Sequence, residues 1–335
     1  MGTTMRADLT RRRVISILAA GVALPAFARG ARAGNPEPFR WQGIVLGAAA
    51  DLTLYAADRA QAGDALAAAL AEIARLEGIF SLYQPDSALS RLNREGRLDA
   101  APFELRELLS QAIQLAAASH GRFEPTIQPL WKLLADHFAG SDADPAGPSA
   151  AKLAAVRAVV DYRAVRFGEG AIVFDRPGMQ VTLNGIAQGY ISDRIGALLK
   201  QRGFSHALVN LGEALAIDRR PDGGAWTIGV PAPDDRAHLV TKLEIAGGAV
   251  ATSAGRGMTF DASGRFNHII DPQRLVCADP DRSITVLAPS AAIADGLSTL
   301  GALLPDPRRD LPPHLAAFGA RAFVYSTRGN SIDWI

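Results

Sequence analysis

The sequence predicts an α+β fold, with antiparallel hairpins and a few packed helices, on three observations. Strand-like and helix-like segments alternate irregularly, not in the regular rhythm of a doubly wound sheet. Several short strands follow one another between residues 206 and 287. Neither a G-x-G-x-x-G nor a P-loop pattern occurs, so a Rossmann or Walker route to nucleotide binding has no support.

Taken in order, residues 44–55 read as a strand pair or one long strand. Residues 60–80 are alanine-rich, with Leu66, Leu70, Ile73, Leu76 and Glu77 at helical spacing, and form a helix. A second helix covers 103–119, with Pro102 near its start and His120-Gly121 as its stop. Residues 129–138 make a short helix, SDADPAGPS within 139–149 marks a surface loop, and 150–159 is helical again. Strands over 171–174 and 180–183 lead to a helix over 189–202, closed by Gly203. Residues 206–210 form a buried strand, followed by strands at 225–230, 239–245, 249–251, 259–260 and 283–287. Residues 293–303 are helical, and 320–326 and 331–334 close the chain as strands.

The first thirty or so residues stand outside this fold. Arg11-Arg12-Arg13 precedes an apolar stretch over 14–27, and Ala26-Phe27-Ala28 and Ala31-Arg32-Ala33 offer two A-x-A cleavage patterns. A basic start, a short apolar run and small residues at the cut describe an export signal too short to span a bilayer. An ordinary secretory signal rich in arginine fits. The paired arginines and the mildly hydrophobic Ala/Gly core favour the twin-arginine route, a receptor-read address. The expectation is a leader over 1–33 and one catalytic domain over 34–335, soluble and located in the periplasm. No cysteine lies near the cut to carry a lipid anchor, and Cys277 is the single cysteine, so no internal disulfide forms. The leader holds six arginines and one aspartate, which leaves the remainder near −4 from a formal +1. That balance argues against a nucleic-acid binder working by phosphate neutralisation.

Four polar, glycine-containing segments interrupt the core pattern. In VTLNGIAQGYISDRI (181–195), a strand runs through Asn184-Gly185 and Gln188-Gly189 into a helix. Glycines there admit a bound group close to the backbone, and the helix start leaves amides facing it. A strand–helix turn without a ligand fits the same residues. In VNLGEALA (209–216), Asn210, Gly212 and Glu213 form a turn that is at least as readily structural. The third segment joins ATSAGRGMTF (251–260) to FNHIIDP (266–272). Thr252, Ser253 and two glycines make a donor-rich loop suited to phosphate oxygens, and His268 follows as either a structural or a functional histidine. In IADGLSTLGALL (293–304), Asp295 and Thr299 share one helix face, a carboxylate and a hydroxyl suited to a hard cation. D-x₃-T alone is a common pattern.

Eight pieces in register carry a resemblance that local physics does not. They are FSLYQPDSALSRLN (80–93), HGRFEPTIQPLW (120–131), NGIAQGY (184–190), VNLGEALA (209–216), WTIGVPAP (226–233), ATS (251–253), NHIIDP (267–272) and ADGLSTL (294–300). Together they resemble the ApbE family of FAD:protein FMN transferases across nearly the whole mature chain. With the twin-arginine leader, NGIAQGY further resembles the NosX branch, the periplasmic accessory proteins of nitrous-oxide respiration.

The resemblance implies an ApbE-like fold, with mixed or antiparallel sheets, a helical subregion over about 60–160 and an active-site cleft. It implies Mg²⁺ held by the Ala187 carbonyl and by Asp295 and Thr299, and FAD as substrate. It places Tyr83, Glu124, Thr126, Asn184, Gly185, Gln188, Thr252, Ser253 and His268 at the dinucleotide and gives His268 a catalytic role in the transfer, which makes it the candidate general base. The acceptor would be a Thr or Ser hydroxyl of a membrane-bound flavoprotein such as NosR, or of another respiratory subunit. This sequence departs from the family pattern D-L-G-G-I-A-K-G at Thr182, Asn184 and Gln188, and from T-S-G at Ala254. Losing the lysine removes a charge that steadies a phosphate. Two other outcomes suit the same residues: hydrolysis of FAD to FMN and AMP, and FAD binding without catalysis.

Overall fold

The computed structural model describes residues 37–45, 48–235, 237–327 and 331–335. The expected leader over 1–33 lies outside the described residues. The chain opens with a hairpin, β1 (Pro38–Val45) and β2 (Ala48–Tyr55), and a long helix, α1 (Arg59–Phe80). A region follows with α2 (Ala88–Glu95), β3 (Arg97–Leu98), α3 (Phe103–Ala118), α4 (Gln128–Phe138), α5 (Ala150–Arg157), β4 (Val165–Phe167) and β5 (Ile172–Phe174). Then come α6 (Ala187–Gln201), β6 (Ala207–Asn210), β7 (Ala214–Ile217), the hairpin β8 (Trp226–Pro231) and β9 (Leu239–Ile245), and β10 (Gly248–Ala254). The chain ends with β11 (Ile270–Asp271), β12 (Val276–Cys277), β13 (Arg282–Ala288), α7 (Ala291–Leu303), α8 (Pro307–Asp310), α9 (Pro312–Ala317), β14 (Arg321–Ser326) and β15 (Ser331–Trp334).

Eight strands form one sheet in the order β1-β2-β6-β7-β10-β13-β14-β15. Every neighbouring pair in it is antiparallel. This is the predicted α+β class. Strand periodicity divides its two faces. Ala249 and Ala251 of β10, Ile284 and Val286 of β13, and Ala322 and Val324 of β14 join the main core beneath α1, α6 and α7. Val250, Leu287 and Phe323 alternate with them and pack on the opposite face with Trp226, Val230, Leu243 and Ile245 of the β8–β9 hairpin.

Helix α1 starts where Asp58 accepts the Ala60 amide, an N-cap that satisfies one free donor. Its buried stripe is Ala62, Ala65, Ala69, Ile73 and Leu76, while Leu66 and Leu70 sit only partly covered at the core margin. Small side chains let the helix approach its neighbours closely, so the alanines take the centre. Helix α3 stops as predicted: His120 (φ 53°) and Gly121 (φ 78°) are left-handed, and the Gly121 amide returns to the Ala116 carbonyl.

Two predicted strands are absent. Residues 180–183 pair with a side chain and with loop backbone instead of a strand. Asn93 accepts from the Val181 amide at 2.6 Å and donates to its carbonyl at 2.8 Å, and the Thr182 amide reaches the Pro125 carbonyl. The asparagine satisfies the groups a partner strand would have taken. Residues 259–260 contribute only one isolated bridge, Thr259 to Asn267.

Helices α6 and α7 are locked together. Asp193 of α6 accepts the Ala291 and Ala292 amides at 2.8 and 2.9 Å, and Ser290 accepts the Ile293 amide, so two side chains cap the start of α7. A Cβ on Gly189 would stand 2.3 Å from the Ala291 carbonyl oxygen, so only glycine fits this crossing. Gly189→Ala is expected to destabilise the protein by about 1–3 kcal/mol, the usual cost of overpacking a core. Chemical denaturation with an unchanged midpoint would contradict this packing.

Candidate active site

The locked helices set the floor of a cleft of about 1060 Å³ between the main sheet, the β8–β9 hairpin and the 120s loop. The glycine segment supplies one wall. Gly185 lies against Thr299, where a Cβ would stand 3.2 Å from the Thr299 hydroxyl. Four residues later, the Gly189 amide donates to Asp295 Oδ2 at 3.1 Å. The two segments that the sequence separates by a hundred residues therefore meet as predicted.

Hydroxyls extend the contact to the sheet. Ser253 Oγ lies 2.8 Å from Ser298 Oγ and 3.3 Å from Thr299 Oγ1, and Ser298 donates to the Asp295 carbonyl. Thr252 Oγ1 pairs with Thr285 Oγ1 across the β10–β13 register. Ser253 thus braces Thr299, and the Thr252 hydroxyl is held within the sheet.

Asp295 is buried, and burial pushes its carboxyl well above the usual aspartate range, opposed by the Gly189 amide. Glu213 is buried beside it, its carboxyl raised by burial first and by the Asp295 charge second. Gly212, at φ 108°, makes the turn that delivers Glu213, and the Gln188 amide packs over it, within 2.9 Å of where a Cβ would be. In the sequence Glu213 reads as part of a turn that is at least as readily structural. Its one readable signal was a carboxylate directly after a strand-ending glycine.

His268 reaches the cleft from a loop shaped by the fully buried Asn267. That side chain donates to the Gly264 and Ala278 carbonyls at 3.1 and 2.9 Å and accepts the Ile269 amide. His268 Nδ1 lies 3.0 Å from the Met258 carbonyl, which can only accept, so Nδ1 carries the hydrogen and Nε2 is left as the acceptor. Burial lowers the imidazole pKa, partly offset by that hydrogen bond. His268 lies outside the strands; β11 begins two residues later.

Tyr83, Glu124, Asn184, Gly185, Gln188, Thr252, Ser253, His268, Asp295 and Thr299 all line the cleft. Thr126 and Ala187 are not among its lining residues. Thr126 is fully buried behind the wall, where its amide and hydroxyl both donate to Glu124 Oε1 at 2.9 and 2.7 Å. Glu124 also takes the Tyr162 amide, and burial raises its pKa. The pair therefore holds the 120s loop in shape, and Thr126 reaches the site only through Glu124. Ala187 is the first residue of α6, with a buried side chain and an amide bonded to the Leu183 carbonyl.

Among the described residues no group of three or more His, Cys, Asp or Glu is placed to hold a metal. The hard-cation set here is of another kind, carboxylate plus hydroxyl. It fits Mg²⁺ on one observation: the buried Asp295 charge meets an amide and other carboxylates but no lysine or arginine.

Comparison with known proteins identifies the family of the chain. An FAD:protein FMN transferase of Klebsiella pneumoniae (strain 342) is 28% identical over 276 residues, covering 77% of this chain and 76% of the relative. One from Treponema pallidum (strain Nichols) is 32% identical over 264 residues, 69% and 70% of the two chains. The crystal structure of Pseudomonas stutzeri flavinyl transferase ApbE, apo form, superposes with a TM-score of 0.76 at 27% identity over 91% of this chain and 96% of that one. The ApbE family profile matches residues 46–310, and the chain belongs to the ApbE family.

Proposed function

We propose that this protein transfers FMN from FAD to a hydroxyl of an acceptor protein, releasing AMP, and that the transfer depends on Mg²⁺. The observation that carries it is the convergence of Asp295, Thr299, the Gly185–Gly189 turn and His268 on one cleft. Its volume of about 1060 Å³ is just above the range for ordinary small-molecule sites, about 300–1,000 Å³, and suits a dinucleotide.

An acceptor Thr or Ser oxygen attacks the FMN-side phosphorus. One O–P bond forms, the anhydride P–O bond breaks, and AMP leaves with the electron pair. The hydroxyl proton passes to His268 Nε2, kept free by the Met258 carbonyl on the other ring nitrogen. Asp295 and Thr299, which line the cleft, would hold the ion, with the Ala187 carbonyl as the third ligand that the family resemblance implies; when bound the ion neutralises charge on the pyrophosphate oxygens. Gln188, where the resembling family carries lysine, offers an amide rather than a charge, so the reaction here leans more on the ion.

The finer reading is a periplasmic enzyme of the NosX branch acting on a membrane-bound, NosR-like flavoprotein. The twin arginines and the NGIAQGY segment support it. No helix among the described residues is long and apolar enough to cross a membrane. Replacing Arg11 and Arg12 by lysine is expected to leave the protein in the cytoplasmic fraction. Unchanged export would refute the twin-arginine assignment.

The function is tested by incubating the purified protein with FAD, Mg²⁺ and candidate acceptor domains, reading in-gel fluorescence and intact mass. Covalent FMN on the acceptor with stoichiometric AMP is expected. AMP with free FMN alone would identify a hydrolase, and bound FAD without AMP a non-catalytic carrier; either result overturns the transferase.

A further inference from the structure

We infer that Glu213 supplies a second carboxylate to the cation site of this chain, beside Asp295. The inference rests on the proposed function for the existence of that site, and extends it by a residue that the hard-cation set of Asp295, Thr299 and the Ala187 carbonyl does not contain.

Three observations carry it. Glu213 is 7% exposed, and its Oε2 is buried without any hydrogen-bond partner, while the Thr252 amide engages the carboxylate. An orphaned, buried carboxylate oxygen is costly unless a ligand completes it. The second observation is position. Glu213 lines the same cleft as Asp295 and Thr299, and the neighbouring charge it feels is that of Asp295.

The third is the charge balance of the cleft. Asp51 is bonded to Asn210, Glu124 is satisfied by Thr126 and Tyr162, and Asp193 by the first two amides of α7. That leaves Glu213 and Asp295 as the carboxylates wanting a counter-charge. Among the described residues lining the cleft, Arg256 is the one lysine or arginine, and it is paired with Asp281. No protein cation answers the two carboxylates, so the positive charge comes from solution. Paired carboxylates with neighbouring hydroxyls are oxygen ligands for a hard divalent ion.

The turn that holds Glu213 is built for this placement. β7 pairs with β10 only as far as Val250–Ala214, which leaves the Thr252 amide beyond the end of β7 for the Glu213 side chain to take. The Thr252 amide thereby anchors the carboxylate to the sheet, while Oε2 stays buried and without a partner.

The test uses Mn²⁺ as probe, with free ion read by electron paramagnetic resonance in a titration of the purified protein without FAD. Glu213→Gln, nearly isosteric, is expected to raise the Mn²⁺ Kd by about 10–100-fold. Glu213→Asp keeps the charge one methylene further back and is expected to lie between Gln and wild type. Asp295→Asn is run alongside. Loss of binding in Asp295→Asn with an unchanged Kd in Glu213→Gln overturns this inference and leaves the ion site standing. Unchanged binding in both removes the ion site itself. Should Glu213→Gln fail to fold, a wild-type Kd in Glu213→Asp overturns the inference in its place.

Discussion

Asp295→Asn is expected to lower metal-dependent FMN transfer by about 10³-fold or more, with little loss of folded protein. The substitution keeps the side-chain shape, and an asparagine oxygen can still accept the Gly189 amide that Asp295 now accepts at 3.1 Å. What it removes is the charge. A divalent ion at a phosphoryl centre supplies several kcal/mol of transition-state stabilisation, and each 1.36 kcal/mol is tenfold in rate. The check is the initial rate of acceptor labelling across a magnesium titration, with a thermal melt to confirm folding. A variant that labels at the wild-type rate with the same magnesium midpoint would remove Asp295 from the site.

His268→Ala is expected to slow transfer by about 10²–10⁴-fold, the range for loss of a general base. Its pH profile separates catalysis from packing. The working form is the neutral imidazole, and burial lowers its pKa. Wild-type kcat/KM is therefore constant above that pKa and falls as the pH drops through it, with the acidic midpoint below the usual histidine value of about 6.5. The variant is expected to show a low rate without that acidic limb. A variant retaining both the limb and the rate would place the base elsewhere.

Much of the candidate site was legible because its parts are local. Asp295 and Thr299 share a helix face by spacing alone, and Ser290, accepting the Ile293 amide, marks where that helix begins. The turn into α6 at 184–189 announced itself through its glycines. Thr126 was read as a cleft residue because it follows Glu124 in a recognisable segment, yet it is fully buried and bonded to that glutamate. Which of two neighbouring polar residues faces the ligand depends on how the loop is folded, and a linear pattern does not state it. Residues 180–183 have strand-like composition, but Asn93, far away in sequence, takes the hydrogen bonds.

The sequence alone determined the α+β class, the long helices, the family and the carboxylate–hydroxyl pair on α7, because these follow from short-range periodicity and motif order. The tertiary structure decided what no local pattern holds. It brought Gly189 against Ala291, so that α6 and α7 cross at glycine distance, and set Glu213 beside Asp295 without a protein cation. The physical reason is that burial and charge compensation are properties of three-dimensional neighbours: a carboxylate is ordinary until the folded chain withdraws both water and counter-ion from it.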